Sequence, residues 1–225
     1  MDATTENSIR QEQIESFGRL MAGFSHDMKN HLGIIRESNG LMDDIIAMGG
    51  CGEDEMSVER LRKSISAIER RVAIAAKMFH HLSGFAHRPD TPQSSFHIND
   101  LVTEECIFLE RFSKLRQINF ILKTGEGLSA IYNDPALLQH VVYRVYILSL
   151  DQLDSGDTLT IITGQNEKNA EITFRLGGSS QLSPENLSES HLMPAITKLE
   201  GTLKMGESTK DYTEIILTIP SLPVA

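Results

Sequence analysis

The strongest constraint on the fold is an apolar repeat in the segment from Val58 to Ala86. Apolar residues recur there at alternating steps of three and four, which is the heptad pattern of a coiled-coil seam. The members of this repeat are Val58, Leu61, Ile65, Ile68, Val72, Ala75, Phe79, Leu82 and Ala86. We therefore predict one long helix from about Ser57 to His87, followed by a proline-containing break at Pro89 and Pro92.

A second long helix is predicted before it, from about Ile9 to Met48, because Gly49 and Gly50 follow and paired glycines end helices. Its apolar stripe is formed by Phe17, Leu20, Met21, Phe24, Met28, Leu32 and Ile35. Two antiparallel helices cannot bury two such stripes alone. We expect two helical hairpins to pair as a dimeric four-helix bundle, the alternative being a monomer whose stripes pack on the rest of the chain.

His26 lies off the first stripe. At about 100° per residue it points roughly 200° away from Phe24 and Met28, so we expect it on the outer face of the bundle with Asn30 one turn later. Small residues flank this face and would leave room for another protein. They are Ala22, Gly23 and Gly33.

The residue after His26 is an aspartate, and this pairing suits nucleophilic chemistry. A neutral imidazole attacks through one nitrogen only when the other nitrogen carries the proton. Asp27 can accept a hydrogen bond from that N–H and so hold the ring in the reactive tautomer. The alternative is an ordinary solvated helix face that carries histidine and aspartate by chance.

The pattern changes after the proline-containing segment, where short strand-like runs alternate with amphipathic helices. The predicted strands are 119–123, 158–163, 171–176 and 214–219, and the predicted helices are 101–115, 135–153 and 190–199. Interleaved strands and helices favour an α/β sandwich, with one sheet covered by a helical layer.

The formal net charge of −10 argues against nucleic acid or an anionic membrane as the main partner. Residues 1–16 lack a signal-peptide pattern, and no apolar run could span a bilayer, so we expect a cytosolic protein that does not bind membranes. Cys51 and Cys106 have no second thiol nearby in sequence. We therefore expect neither a redox pair nor a metal site.

Residues 18–30 resemble the H-box of bacterial two-component histidine kinases, in which an acidic residue follows the active histidine and Asn or Thr comes three positions later. Residues 79–86 are similar to the end of the same family's second helix. His31 stands where many members carry proline. The resemblance implies a dimerisation and histidine-phosphotransfer hairpin at 1–88, a linker at 89–98 and a Bergerat-type ATPase-like domain at 99–225.

Residues 133–142 are similar to the start of the family's N-box helix, but Arg144 and Leu148 occupy the register of the asparagines that hold Mg²⁺ and phosphates. Neither side chain supplies an oxygen ligand. Residues 176–180 lack the aspartate of the adenine-recognition motif, and residues 179–199 contain no glycine for a phosphate-binding lid. We therefore expect a degenerate nucleotide site without a bound cofactor.

A retained histidine beside lost nucleotide motifs resembles kinase-derived histidine phosphotransferases. The resemblance implies that His26 shuttles phosphoryl groups between the aspartates of response-regulator receiver domains without ATP, and that the receiver supplies Mg²⁺. Asp27 would orient His26, Asn30 would contact the phosphoryl group or the receiver, and Lys29 would offset phosphoryl charge.

Three alternatives stay open. Asp27 and Asn30 also fit the acid-x-x-Asn arrangement with which some members of the family orient a water to dephosphorylate receivers. The chain could instead be a non-enzymatic dimeric scaffold, or a divergent kinase that still uses ATP. Loss of His26 would abolish relay, partly spare hydrolysis and leave a scaffold intact.

Overall fold

The computed structural model describes residues 3–48, 54–166, 169–178, 187 and 192–222. The chain divides into two compact units, Met21–Ser83 on the one hand and Met1–Leu20 with Gly84–Ala225 on the other. The predicted functional boundaries at residues 88 and 98 stay a prediction.

The two long helices are α1, Ala3–Ala47, and α2, Glu55–His87. Asp54 caps α2, because its carboxylate accepts hydrogen bonds from the backbone N–H groups of Met56 and Ser57 and from Ser57 Oγ at 2.7 Å. The bond from the Ser57 hydroxyl is the main cause that lowers the pKa of Asp54. Gly49, Gly50 and Cys51 lie outside the described residues.

Aromatic contacts show how the helices pair. Phe24 of α1 meets Phe79 of α2 edge to face, with ring centroids 5.2 Å apart. Phe17 of α1 stacks on Phe85 of α2 at 5.7 Å. The earlier α1 residue, Phe17, thus contacts the later α2 residue, and Phe24 contacts the earlier one. The two helices therefore run antiparallel, as in a hairpin.

The α1 stripe is only partly buried. Leu20, Phe24 and Met28 are buried, as predicted, but Phe17 and Leu32 are exposed. The prediction that these two side chains point inward is wrong for the single chain, because one partner helix cannot cover the whole width of the stripe.

The heptad repeat of α2 shows the same pattern more sharply. Val58, Ile65, Val72 and Phe79 follow one another at steps of seven and are 38%, 45%, 52% and 54% exposed. The other half of the repeat, Leu61, Ile68, Ala75 and Leu82, is half-buried. A single chain therefore leaves an apolar ridge along α2 in contact with solvent.

The α/β part begins after a 3₁₀ turn at Arg88–Asp90. Its described helices are α3, Ile98–Leu115, α4, Pro135–Leu150, and α5, Met193–Lys198. Its described strands are β1, Ser94–Phe96, β2, Asn119–Lys123, β3, Ile131–Asn133, β4, Thr158–Asn166, β5, Asn169–Gly177, β6, Thr202–Ser208, and β7, Tyr212–Ile219.

The main sheet has the order β2-β4-β5-β7-β6, with β2 parallel to β4 and the other neighbours antiparallel. Strands β1 and β3 form a separate antiparallel pair. Helices α3 and α4 pack on the main sheet, which confirms the predicted α/β sandwich. The predicted helix 190–199 is described only as Met193–Lys198, and Ser190 lies outside the described residues.

Burial alternates strictly along β5, where Ala170, Ile172, Phe174 and Leu176 are buried and their neighbours are not. The same face is continued by Ile215, Leu217 and Ile219 of β7. On the opposite face Arg175 donates to Glu214 at 2.8 Å and lies over the Tyr212 ring. One face of the sheet therefore builds the core and the other meets solvent.

Candidate functional site

His26 projects from the outer side of α1, where its side chain is 56% exposed. Its neighbours Phe24 and Met28 are buried on the opposite side of the helix. The 3.6-residue period therefore separates the imidazole from the apolar stripe, as the sequence predicts. The ring is accessible to a macromolecular partner.

Two polar neighbours converge on one nitrogen of this ring. Asp27 Oδ1 lies 3.5 Å from His26 Nδ1, and Asn30 Nδ2 lies 3.2 Å from the same atom. The aspartate distance is long for a hydrogen bond, so a small rotation would be needed for a direct N–H···O bond. The structure thus brings together the three residues singled out as the catalytic set.

The two contacts favour opposite tautomers. Asp27 stabilises an Nδ1–H, which leaves the lone pair on Nε2, whereas the amide N–H of Asn30 needs a lone pair on Nδ1. If the Asn30 amide turns over, its oxygen accepts from the same Nδ1–H and supports Asp27. Asn30 can therefore either oppose or support the nucleophilic form of His26.

The surroundings of His26 are small and open. Ala22 and Lys29 are exposed, and Gly23 and Gly33 are half-buried. A side chain added at Gly33 would meet no atom within 4 Å. The predicted partner-contact residues thus lie along a surface with free space beside it, and Lys29 stands in solvent.

The positions that match the family's N-box lie on α4. Asp134 caps this helix by accepting from the Leu137 N–H at 2.9 Å, with Pro135 at the first helical position. Arg144 donates to Glu12 Oε2 at 2.8 Å, so its guanidinium is engaged in an ion pair. Leu148 is half-buried.

Sequence reasoning missed a buried polar cluster around α4. Ser16 Oγ lies 3.1 Å from His140 Nδ1, and Glu12 Oε2 lies 3.9 Å from the Nε2 of the same ring. Burial, with a smaller effect of the Arg144 charge, lowers the pKa of His140 to about 4. The ring is therefore neutral near pH 7. A histidine within the almost continuous apolar run of α4 was the available signal.

Glu105 of α3 is a second buried group that was missed. Its side chain is fully buried, and neither carboxyl oxygen has a hydrogen-bond partner among the described residues. Burial raises the pKa of Glu105 well above its usual range, against a weaker opposing effect of Arg88. The signal was its place on the apolar stripe, four residues after Leu101 and four before Leu109.

Among the residues that the structure describes, no cluster of three or more His, Cys, Asp or Glu side chains could hold a metal ion. None of the helices in the described ranges is long and apolar enough to cross a bilayer.

No protein-family model matches the chain. In sequence it is 21% identical over 198 residues to the sensor histidine kinase ZraS of Salmonella typhi, across 86% of this chain and 40% of ZraS. It is also 21% identical over 162 residues to the signal transduction histidine-protein kinase AtoS of Escherichia coli K12, across 72% of this chain and 25% of AtoS. The chain thus spans less than half the length of these relatives.

Solved structures match the fold. The catalytic domain of the histidine kinase ThkA aligns with a TM-score of 0.51 at 15% identity, covering 58% of this chain and 97% of that domain. The Acinetobacter baumannii histidine kinase AdeS aligns with a TM-score of 0.50 at 13% identity, covering 87% of this chain and 98% of AdeS. In sequence the chain is therefore similar to the sensor histidine kinases, and its fold is that of a histidine kinase core.

Proposed function

We propose that this chain is a histidine phosphotransferase, which relays phosphoryl groups between receiver-domain aspartates through His26 and does not use ATP. The observation that carries the proposal is the exposed imidazole with Asp27 and Asn30 gathered at its Nδ1. The partners would be response-regulator receiver domains, met in the cytosol.

The chemistry balances without a cofactor on this chain. The Nε2 lone pair of His26 attacks the phosphorus of a receiver's aspartyl phosphate, an N–P bond forms, and the P–O bond breaks as the carboxylate leaves with its electron pair. The ring keeps its Nδ1 proton and becomes cationic. Asp27 stabilises that charge, and a second receiver's carboxylate then reverses the step.

Positioning and electrostatics would supply most of the rate, since phosphoryl transfer needs little covalent work from the protein. The receiver would bring the Mg²⁺ that screens the phosphoryl oxygens. The open surface at Ala22 and Gly33 gives such a domain room to approach, and Lys29 could reach the transferring group.

ATP independence rests on the α4 positions. Where the family presents amide oxygens to Mg²⁺, this chain presents Arg144, held by Glu12, and Leu148. A guanidinium repels a cation, and an alkyl group cannot ligate one. The α/β part would then serve as a docking platform and not as a kinase domain.

A homodimer is part of the proposal. The ridge of Val58, Ile65, Val72 and Phe79 is exposed at four successive heptad positions. A second copy carrying the same ridge would bury it, and such isologous pairing is the commonest oligomer symmetry. The product would be a four-helix bundle.

The second candidate function is dephosphorylation of a response regulator. Asn30 and Asp27 lie side by side on the exposed face, where their polar atoms could orient a water toward an aspartyl phosphate. In that case the receiver's phosphate appears as inorganic phosphate, without a phosphohistidine.

The test is phosphoryl transfer from receivers. Receiver domains from the same genome are loaded with labelled phosphate by a small acyl phosphate donor and mixed with the purified chain. We expect acid-labile label on the wild-type chain and on His80→Ala, which alters another exposed histidine, and none on His26→Ala. Release of inorganic phosphate that survives in His26→Ala would support the phosphatase and contradict relay.

A further inference from the structure

The compact unit formed by Met1–Leu20 and Gly84–Ala225 contains a cavity of about 500 Å³. The start of α1, the segment 85–92, α3 and α4 all contribute to its wall. Most of the lining is apolar and includes Ile14, Phe17, Phe85 and Tyr143. A volume of this size is within the range of small-molecule sites.

One lining residue is out of place in an apolar cavity. Glu105 is fully buried, and its two carboxyl oxygens have no hydrogen-bond partner in the described part of the chain. Such a group costs folding free energy unless something satisfies it. The nearby cation, Arg88, donates to Gln139 Oε1 at 2.7 Å and is paired with Glu104, so its donors are directed elsewhere.

The remaining charges of the cavity favour a cation. Asp134 is a second carboxyl in the wall, and burial raises its pKa as well. The wall's own cation, Arg10, is paired with Glu6 at 3.0 Å. His140 is bound to Ser16 and is neutral near pH 7. Asp134 is half-buried and accepts the Leu137 N–H, so the fully buried Glu105 is the carboxyl of this wall whose oxygens lack a hydrogen-bond partner among the described residues.

We propose that this cavity binds an organic ammonium ion, with the apolar body of the ligand against Phe17 and Phe85 and its N–H donors on the Glu105 carboxylate. The positive charge of the ligand opposes the effect of burial on Glu105, so the carboxyl releases its proton to solvent on binding, and the charge-assisted bond then satisfies the buried oxygens. The site involves neither His26 nor its chemistry, so it stands independently of the proposed relay.

The test uses 2-phenylethylamine and its neutral isostere 2-phenylethanol, titrated into the full chain and followed by calorimetry or ligand-observed NMR. We expect the amine to bind about tenfold or more tightly than the alcohol. Glu105→Gln, which keeps the shape and removes the charge, should abolish this preference. Glu110→Gln, on the exposed side of the same helix, should retain it.

The location of binding is tested separately by Ala86→Phe, which fills the cavity from an exposed position of its wall. This variant should lose amine binding while its far-UV circular dichroism matches that of the wild type. Equal affinity for amine and alcohol, a preference that survives in Glu105→Gln, unchanged binding to Ala86→Phe, or no saturable binding of the amine would each overturn the proposal.

Discussion

The apolar surfaces of the α/β part and of the hairpin differ in how completely a single chain covers them. In β5 the inward residues Ile172, Phe174 and Leu176 are fully buried. Along α2 the residues Ile65, Val72 and Phe79 repeat just as regularly, yet about half of each side chain meets solvent. The first surface is covered within one copy, and the second is left about half-exposed.

The residues that maintain the fold of the α/β part are distinct from the residues that would give this fold its chemistry. The core of the α/β part depends on alternating apolar residues, which are intact, and not on the N-box positions now held by Arg144 and Leu148. The proposed loss of the nucleotide site is therefore compatible with a stable scaffold. The hairpin combines an apolar surface that one copy leaves exposed with an exposed His26, so under the proposed function its chemistry and its assembly both depend on other molecules.

The largest effect on stability is expected from a substitution in the core of the sheet. Phe174→Ala should lower the free energy of unfolding of the α/β part by about 3–5 kcal/mol, because it leaves a buried cavity. Phe79→Ala should cost the hairpin only about 1 kcal/mol at protein concentrations at which the chain is monomeric, mainly the lost ring contact with Phe24. The chain has no tryptophan, and its four tyrosines all lie in the α/β part, so tyrosine fluorescence in urea measures the effect of Phe174→Ala. Far-UV circular dichroism, to which the two long helices contribute most, measures the effect of Phe79→Ala. Similar costs for the two variants would contradict the comparison.

The buried histidine gives the next largest effect. The pKa of His140 is about 4 in the folded chain and about 6.5 when unfolded, so between these values the unfolded chain binds the extra proton and stability falls as the pH drops. The loss approaches about 3 kcal/mol near pH 4. Urea titrations at pH values from 7 to 4 give the free energy of unfolding at each pH. This free energy should fall less steeply with decreasing pH for His140→Gln than for the wild type.

The matched control is His97→Gln, which alters an exposed histidine. Its free energy of unfolding should change with pH as that of the wild type does. Parallel curves for the wild type and His140→Gln would show that His140 does not resist protonation in the folded state.

The exposed ridge predicts a concentration-dependent assembly. Ile65→Lys places a charge in the middle of the proposed dimer seam and should raise the dimer Kd by about 100-fold, since two copies of the change meet the interface. Ser66→Lys adds a lysine at an exposed position about 100° around the helix from Ile65 and should have a small effect. Sedimentation equilibrium measures both, and a wild-type chain that stays monomeric would refute the dimer.

The smallest effect is expected at the orienting carboxylate. Asp27→Asn retains the shape of the side chain but removes the charge that favours an Nδ1–H on His26, and we expect about a tenfold slower phosphohistidine formation at saturating receiver. Glu37→Gln, on the exposed surface of the same helix, is the control. An unchanged rate in Asp27→Asn would show that Asn30, and not Asp27, determines the tautomer of the His26 ring.

The sequence predicted the elements with strong periodicity. Helices α2 and α3 and the central strands β4, β5 and β7 were predicted to within three residues at each end, because their apolar spacing leaves one choice of period. Helix α1 was predicted too, but it begins at Ala3, six residues before the predicted start. Strands β1 and β3 have three residues each, too few to show a period, and the glycine and serines of β6 hide its alternation. The exposure of Phe17 and Leu32 depends on which neighbours cover them, which periodicity does not report.

The polar sites of the molecule likewise include residues that the sequence predicted and residues that it did not. His26, Asp27 and Asn30 lie within five residues of one helix, so local geometry sufficed to bring them together. Ser16 contacts His140, which lies 124 positions later in the chain. The Glu105 carboxyl lies in a cavity whose wall also contains residues of α1, of the segment 85–92 and of α4. Those features follow from tertiary packing and could be recognised in sequence only as polar residues within apolar patterns.

The central claim is that His26 accepts phosphate from receivers and not from ATP. The most direct measurement is incubation of the purified chain and of His26→Ala with γ-labelled ATP and Mg²⁺, followed by assay of acid-labile phosphate on the protein. We predict no label on either chain, even when the same wild-type sample accepts phosphate from a phosphorylated receiver. Label on the wild type that is absent from His26→Ala would show that the nucleotide site is active and the chain is a divergent kinase.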